Sequence, residues 1–227
     1  MKHAVITYIF GKNKEILREP KVIDSDVEYI CVTDQKSLSS KNWKIIYEPM
    51  DNIESLRDRF AYVKYNPFKY TNAEKICVMD STLEIKSSLM PLFSILDYTD
   101  GVFKKHSIRK TLAEELPVWR GRGLRNNLIQ KFYYMAKHDG VNLDDVQLIE
   151  SCMFLIRNND YGKELCSTVL NYMKFLGNDN NLIITNQCPL SYILHLYYKN
   201  EFTLVGINFQ KHFFNRYEHN CNKINRT

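Results

Sequence analysis

In the stretch KICVMDSTLEIK the apolar run Ile76 to Met79 stops on a carboxylate, Asp80, and two hydroxyl residues follow, Ser81 and Thr82. Mg²⁺ and Mn²⁺ take oxygen ligands and share them with substrate phosphates. A carboxylate at the end of a buried strand suits that chemistry. The competing reading is a strand-end turn in which Asp80 bonds to nearby backbone amides. A basic set lies upstream: Arg57, Arg59, Lys64 and Lys69. Arginine matches phosphate oxygens bidentately, and lysine adds a point charge. A solvated helix face would use the same residues.

Downstream, GVFKKHSIRKTLAEE carries Lys104, Lys105, His106 and Arg109, then Glu114 and Glu115. This pattern fits a phosphate or acceptor loop, or a charged surface helix with paired side chains. Glu150 precedes the apolar run from Ser151, and Asn186 and Gln187 stand at a helix start; both places also suit capping or solvated residues. His212 and His219 lie in a basic, aromatic tail. The chain has no Walker A pattern, GxGxxG, GxSxG or HExxH. P-loop NTPases, simple dinucleotide enzymes, serine hydrolases and zincins are thereby disfavoured.

The elements that must position these residues alternate between strand and helix. Ala4 to Phe10 is a continuous apolar run of the kind found in buried parallel strands, and it ends at Gly11. Val27 to Thr33 is a second, ending at Asp34, and Trp43 to Glu48 a third. Ile53, Leu56, Phe60 and Val63 have helical spacing, with Asp51 and Glu54 as a capping box. Arg57 and Lys64 then fall on one side of that helix, and Arg59 elsewhere. Ile76 to Met79 is the fourth strand, and Leu83 to Lys86 alternates like an exposed one. Helices are expected over Leu124 to His138, Tyr161 to Gly177 with Gly177 as C-cap, and Cys188 to Lys199. Strands are expected over Ser151 to Asn158 and from Phe202. This order predicts an α/β fold, a mostly parallel central sheet with helices on both faces. Ligands in such sheets bind at the carboxyl ends of the strands, where Gly11, Asp34 and Asp80 would border one crevice.

A length of 227 residues with 44% hydrophobic content predicts one domain over 1–227, with a nucleotide-binding half to about residue 100 and an acceptor-side half after it. The net charge of +5 favours phosphorylated or anionic partners. Six cysteines without a CxxC pair predict buried free thiols rather than a zinc ribbon. The first apolar run lacks a cleavage site, and no segment reaches the ~20 apolar residues of a membrane span. A cytoplasmic protein is expected. Basic charge and abundant Tyr and Phe are also compatible with a non-catalytic nucleotide or nucleic-acid binding module.

Taken in order, these segments resemble GT-A-fold glycosyltransferases. They are most similar to a small glycosyltransferase-like family, first defined as a domain of unknown function and found also in plants. The resemblance runs from about Ala4 to Tyr198. It is carried by VITYIFGKNKEILREPKVIDSDVEYICVTD, YVKYNPFKYTNAEKICVMDSTLEIKSSL, KHSIRKTLAEE, IESCMFLIRNN and TNQCPLSYIL. It implies transfer of a sugar from a nucleotide donor, a UDP-sugar, to a glycan or glycolipid hydroxyl. An anionic polymer such as nucleic acid is a further acceptor class. Tyr8, Phe10, Gly11 and Asp34 would contact the nucleoside, and Arg57 and Lys64 would face the diphosphate. Lys105, His106 and Arg109 would complete the donor site. Asp80 would be the first acid of an Asp-x-Asp motif holding Mn²⁺ or Mg²⁺. The second acid is replaced by Thr82, so His212 or His219 would be needed as a further ligand, or Lys105 and Arg109 would replace the metal. Gln187 would lie beneath the sugar of a retaining enzyme. Glu150 would be the general base of an inverting one.

Overall fold

A computed structural model describes residues 2–11, 16–121, 126–177, 186–198 and 201–217. The strands are β1 (His3–Ile9), β2 (Val27–Thr33), β3 (Lys44–Tyr47), β4 (Lys75–Met79), β5 (Leu83–Ile85), β6 (Gly101–Lys105), β7 (Ile149–Arg157), β8 (Phe202–Val205) and β9 (Phe214–Arg216). The α-helices are α1 (Leu56–Lys64), α2 (Met90–Ile95), α3 (Leu112–Gly121), α4 (Asn126–His138), α5 (Asp160–Leu176), α6 (Gln187–Tyr197) and α7 (Ile207–Phe213). Seven strands form one sheet in the order β3-β2-β1-β4-β7-β6-β8. β7 runs antiparallel to both its neighbours, and the other pairings are parallel. β5 and β9 make a separate antiparallel ribbon.

Side-chain alternation assigns the two faces. Ile6 and Tyr8 of β1 pack with α1 and α3 to α6, while Val5 and Ile9 pack with Leu92 and Phe93 of α2 and Phe213 of α7. The α/β class, the mostly parallel sheet and the helices on both faces are as the sequence predicts.

Local details differ. α1 begins at Leu56 because Ser55, in an extended conformation, accepts a bond from the Asp58 amide. The Asp51–Glu54 capping box is therefore not used. Gly177 does cap α5, but at φ −73° and ψ −166°, so the left-handed form is not needed. β5 keeps the expected alternation: Leu83 and Ile85, each 1% exposed, join the apolar layer that holds Phe213 and Phe214, while Lys86 is exposed. The segment from Gly101, read as a basic loop or a charged surface helix, is strand as far as Lys105.

Candidate functional site

β4 ends at Asp80, whose amide donates to the Cys152 carbonyl (2.8 Å) and whose carbonyl accepts from the Leu83 amide (3.0 Å). Asp80 is thus a turn residue, but its side chain points into a built network. The Tyr8 hydroxyl, from β1, donates to Asp80 Oδ1. Lys64 Nζ, at the end of α1, lies 2.8 Å from the same oxygen and donates to the Ser151 carbonyl at 2.7 Å. Lys64 is only 4% exposed. A buried ammonium is tolerated only when paired and hydrogen-bonded, and these partners meet that need.

A bulge in β7 makes the arrangement possible. Phe103 pairs with Phe154, yet Lys104 pairs with Glu150, so Ser151, Cys152 and Met153 have no partner on β6. The extra residues kink the strand and re-aim its groups, a common role for bulges beside sites. The Ser151 carbonyl reaches Lys64, while its hydroxyl donates to Asn186 Oδ1. Asn186 caps α6, and the half-buried Gln187 is its first residue. Ser191 Oγ ties this helix start to the sheet, donating to the Gln187 carbonyl (2.7 Å) and accepting from the Ile149 amide (2.9 Å). Asp80 and Asn186, and with it the turn that carries Gln187, are therefore linked through Lys64 and Ser151.

Glu150 stands between two cations. Lys104 Nζ bonds Oε2 and Arg216 NH1 bonds Oε1. Lys104 is 0% exposed, whereas the Arg216 side chain is 53% exposed. Burial pushes the Glu150 carboxyl up, but Lys104 and Arg216 outweigh it and hold the group below the ordinary glutamate range. A carboxylate so engaged is a weak general base. Burial works against the charge of Arg216, yet Glu150, with smaller help from Asp80, strengthens its hold on the proton. Nearby, His106 Nδ1 accepts from the amides of Ile108 (3.2 Å) and Arg109 (3.0 Å). Burial and the Arg109 charge lower its pKa. Arg109 also pairs with the buried Glu115, so the second glutamate is structural. Lys105 is exposed.

At the next strand ends, the Gly11 amide donates to both oxygens of Asp34 (3.0 and 3.1 Å), and Arg59 NH1 meets Oδ2 at 2.9 Å. Gly11 has φ +88°, a left-handed turn that favours glycine. Asp34 therefore clamps the turn after β1. The basic residue brought to Asp34 is Arg59; Arg57, expected to share a side with Lys64, is exposed in the first turn. A spacing of seven gives a common face but not a common depth. Phe10 is a core residue packed on Phe60 at 5.8 Å, and Lys69 pairs with Glu48 at 2.8 Å.

The expected metal ligands do not assemble. Thr82 is buried, and its carbonyl accepts from the Tyr217 amide at 2.9 Å. His212 is exposed, with its carbonyl bound to Ser87. Among the described residues no contact joins the His212 ring to Asp80; its ring packs on Phe213. His219 lies outside the described residues. No group of three or more His, Cys, Asp or Glu side chains is placed to hold a metal among the described residues. One carboxylate already bound to an ammonium and a phenol, beside one hydroxyl, does not fit Mg²⁺ or Mn²⁺. Sequence reasoning named Lys104 only as part of a basic loop or charged surface helix, and it missed Ser151 and Arg216. Buried apolar residues of both parities precede each cation, Val102 and Phe103 before Lys104 and Phe213 and Phe214 before Arg216, so no alternation marks either as inward.

Among the described residues no helix is long and apolar enough to cross a membrane. The five described cysteines are free and buried. No family model matches the chain, and no curated protein matches it. Solved structures do. The glycosyltransferase GlyE of Streptococcus pneumoniae TIGR4 aligns over 90% of this chain and 45% of its own, at 11% identity and TM-score 0.48. The chain thus spans less than half of that protein. The galactosyltransferase LgtC, solved with donor and acceptor sugar analogs, aligns over 89% and 73%, at 12% identity and TM-score 0.52. Mouse xyloside xylosyltransferase 1 aligns over 89% and 84%, at 10% identity and TM-score 0.50. The mostly parallel seven-stranded sheet flanked by helices is the GT-A fold of glycosyltransferases.

Proposed function

We propose that the chain is a glycosyltransferase that moves a sugar from a nucleoside-diphosphate donor, a UDP-sugar, to a hydroxyl of a glycan or glycolipid. In this reading residues 1–227 act as one catalytic domain, with the nucleoside held by the first hundred residues. The observation that carries it is the network Tyr8–Asp80–Lys64–Ser151–Asn186, which gathers β1, α1, β4, β7 and α6 at one place in a GT-A fold. Asp80 ends a parallel strand, where α/β sheets bind their ligands. The anomeric C–O bond breaks with its electron pair on the β-phosphate oxygen. The acceptor oxygen bonds to the anomeric carbon, and its proton passes to the departing diphosphate.

A retaining course is favoured. The clamp of Lys104 and Arg216 on Glu150 argues against the general base that inversion needs. Gln187, at the start of α6, is assigned to the lower face of the sugar. A panel of nucleotide sugars, scored for nucleoside diphosphate release, tests the proposal. Release with one donor is expected, with a fall of ~10²-fold or more in Asp80→Asn. Turnover of no donor, or full activity in a folded Asp80→Asn, overturns it.

A further inference from the structure

Cations gather at the turn that follows β4. Two contact Asp80–Ser81–Thr82, and a third, Arg216, lies beside it. Lys64 Nζ lies 2.8 Å from Asp80 Oδ1. Arg18 NH1 donates to the Ser81 carbonyl at 3.1 Å and its guanidinium lies 4.1 Å from the centre of the Tyr217 ring. Arg216 sits opposite Leu83 in the β5–β9 ribbon, one residue before Tyr217, whose amide closes on the Thr82 carbonyl. Its charge is felt at both Glu150 and Asp80.

Resting on the glycosyltransferase reading, we propose that Arg216, with Lys64 and Arg18, binds the donor diphosphate and stabilises it as leaving group in place of a divalent metal. Chemistry and placement single out Arg216. A guanidinium has five N–H donors in a fork that matches phosphate oxygens. One nitrogen of Arg216, NH1, is held by Glu150, which orients the fork, and the side chain remains 53% exposed. Lys64 is the buried counterpart. Asp80 and the Ser151 carbonyl take two of its three donors, and the ammonium supplies positive charge from beneath. A diphosphate ester brings roughly two negative charges, one per phosphate. Preorganised cations at the position where that charge grows stabilise the transition state without reorganising. Glu150 is then a positioning residue rather than a catalytic one.

The test is calorimetric titration of the full-length protein with UDP, GDP, CDP and dTDP, once with excess EDTA and once with Mn²⁺. The same nucleotide is expected to bind with equal affinity in both arms. With EDTA, Arg216→Met is expected to weaken binding by ~10- to 100-fold, the loss of a charged bidentate contact. Arg216→Lys should recover part of the loss. Arg18→Met should weaken binding less, and Lys163→Met, at an exposed position of α5, not at all. Melting curves confirm that each variant is folded. Binding that appears only with Mn²⁺, or wild-type affinity in Arg216→Met with EDTA, overturns the inference while leaving the transferase reading intact. Binding of no nucleotide in either arm overturns the transferase reading itself.

Discussion

Replacing Lys104 by Met isolates the energetics of the Glu150 clamp. Lys104 is fully buried and Glu150 nearly so. Met fills most of the aliphatic stem, so the change removes the ammonium with little loss of volume. Breaking a buried ion pair by removing one partner costs about 3–5 kcal/mol, because a buried charge is left uncompensated. Arg216 stays on the other oxygen and is half-exposed, so the cost should fall to ~2–4 kcal/mol. For a chain of this size that is a drop of roughly 4–16 °C in Tm. The pH dependence carries a definite sign. In the wild type the Glu150 pKa is depressed, so its contribution is present above the ordinary carboxyl value and lost as pH falls through the folded value. In Lys104→Met burial gains ground over the single remaining cation and moves that pKa up. The deficit is then largest at neutral pH and shrinks on acidification, as both proteins come to hold a neutral Glu150. Urea unfolding of both proteins at pH 7.5 and pH 4.5 measures this. A deficit below ~1 kcal/mol at pH 7.5, the range of a surface pair, refutes the reasoning. So does a deficit that does not change with pH.

Three further outcomes are expected. Gly11→Ala places a β-carbon at φ +88° and 2.8 Å from Leu56 Cδ1; Leu56 can rotate away, so the left-handed backbone sets a loss of ~1–2 kcal/mol, read as a lower Tm. An unchanged Tm contradicts it. Burial pushes the thiols of Cys31, Cys77 and Cys152 up to about 12. Ellman's reagent at pH 8 should leave them unmodified in the folded protein and react with them in guanidinium, as peptide mapping would show. His106 should titrate below 6.5 by NMR, since burial and Arg109 disfavour its charged form. Stability tied to neutral His106 is then lost as pH falls below 6.5, and a pKa at or above that value removes the local picture.

The parts of the fold legible in the sequence were those written in continuous apolar runs. β1, β2 and β4 are buried on both sides and announce themselves in AVITYIF, VEYICVT and ICVM. β6 was hidden because its inward charge, Lys104, reads as surface until Glu150 is known to face it across 46 positions. The carboxylate that ends β4, Asp80, was legible, but its partners Tyr8 and Lys64 were not. Helical spacing put Lys64 and Arg57 on one side, and only the docking of α1 on the sheet could decide that Lys64 is buried. The β7 bulge left no mark in IESCMFLIR, since a bulge is a property of pairing and not of local composition. Arg216 lay in a tail whose strand exists only because β5 is there to pair with it.

The position of β7 bears on how the molecule is made. β7 lies between β4 and β6, yet both neighbours precede it in the chain. During synthesis the apolar edge of β4 waits for its partner while roughly 70 residues are added between Met79 and Ile149, about 4–14 s at 5–20 residues per second. An unpaired, apolar strand edge invites pairing with other chains. The centre of the sheet, and with it the bulge that seats Lys64, is thus closed late. Aggregation of nascent chains should depend on how quickly the ribosome reaches residue 157, the last residue of β7.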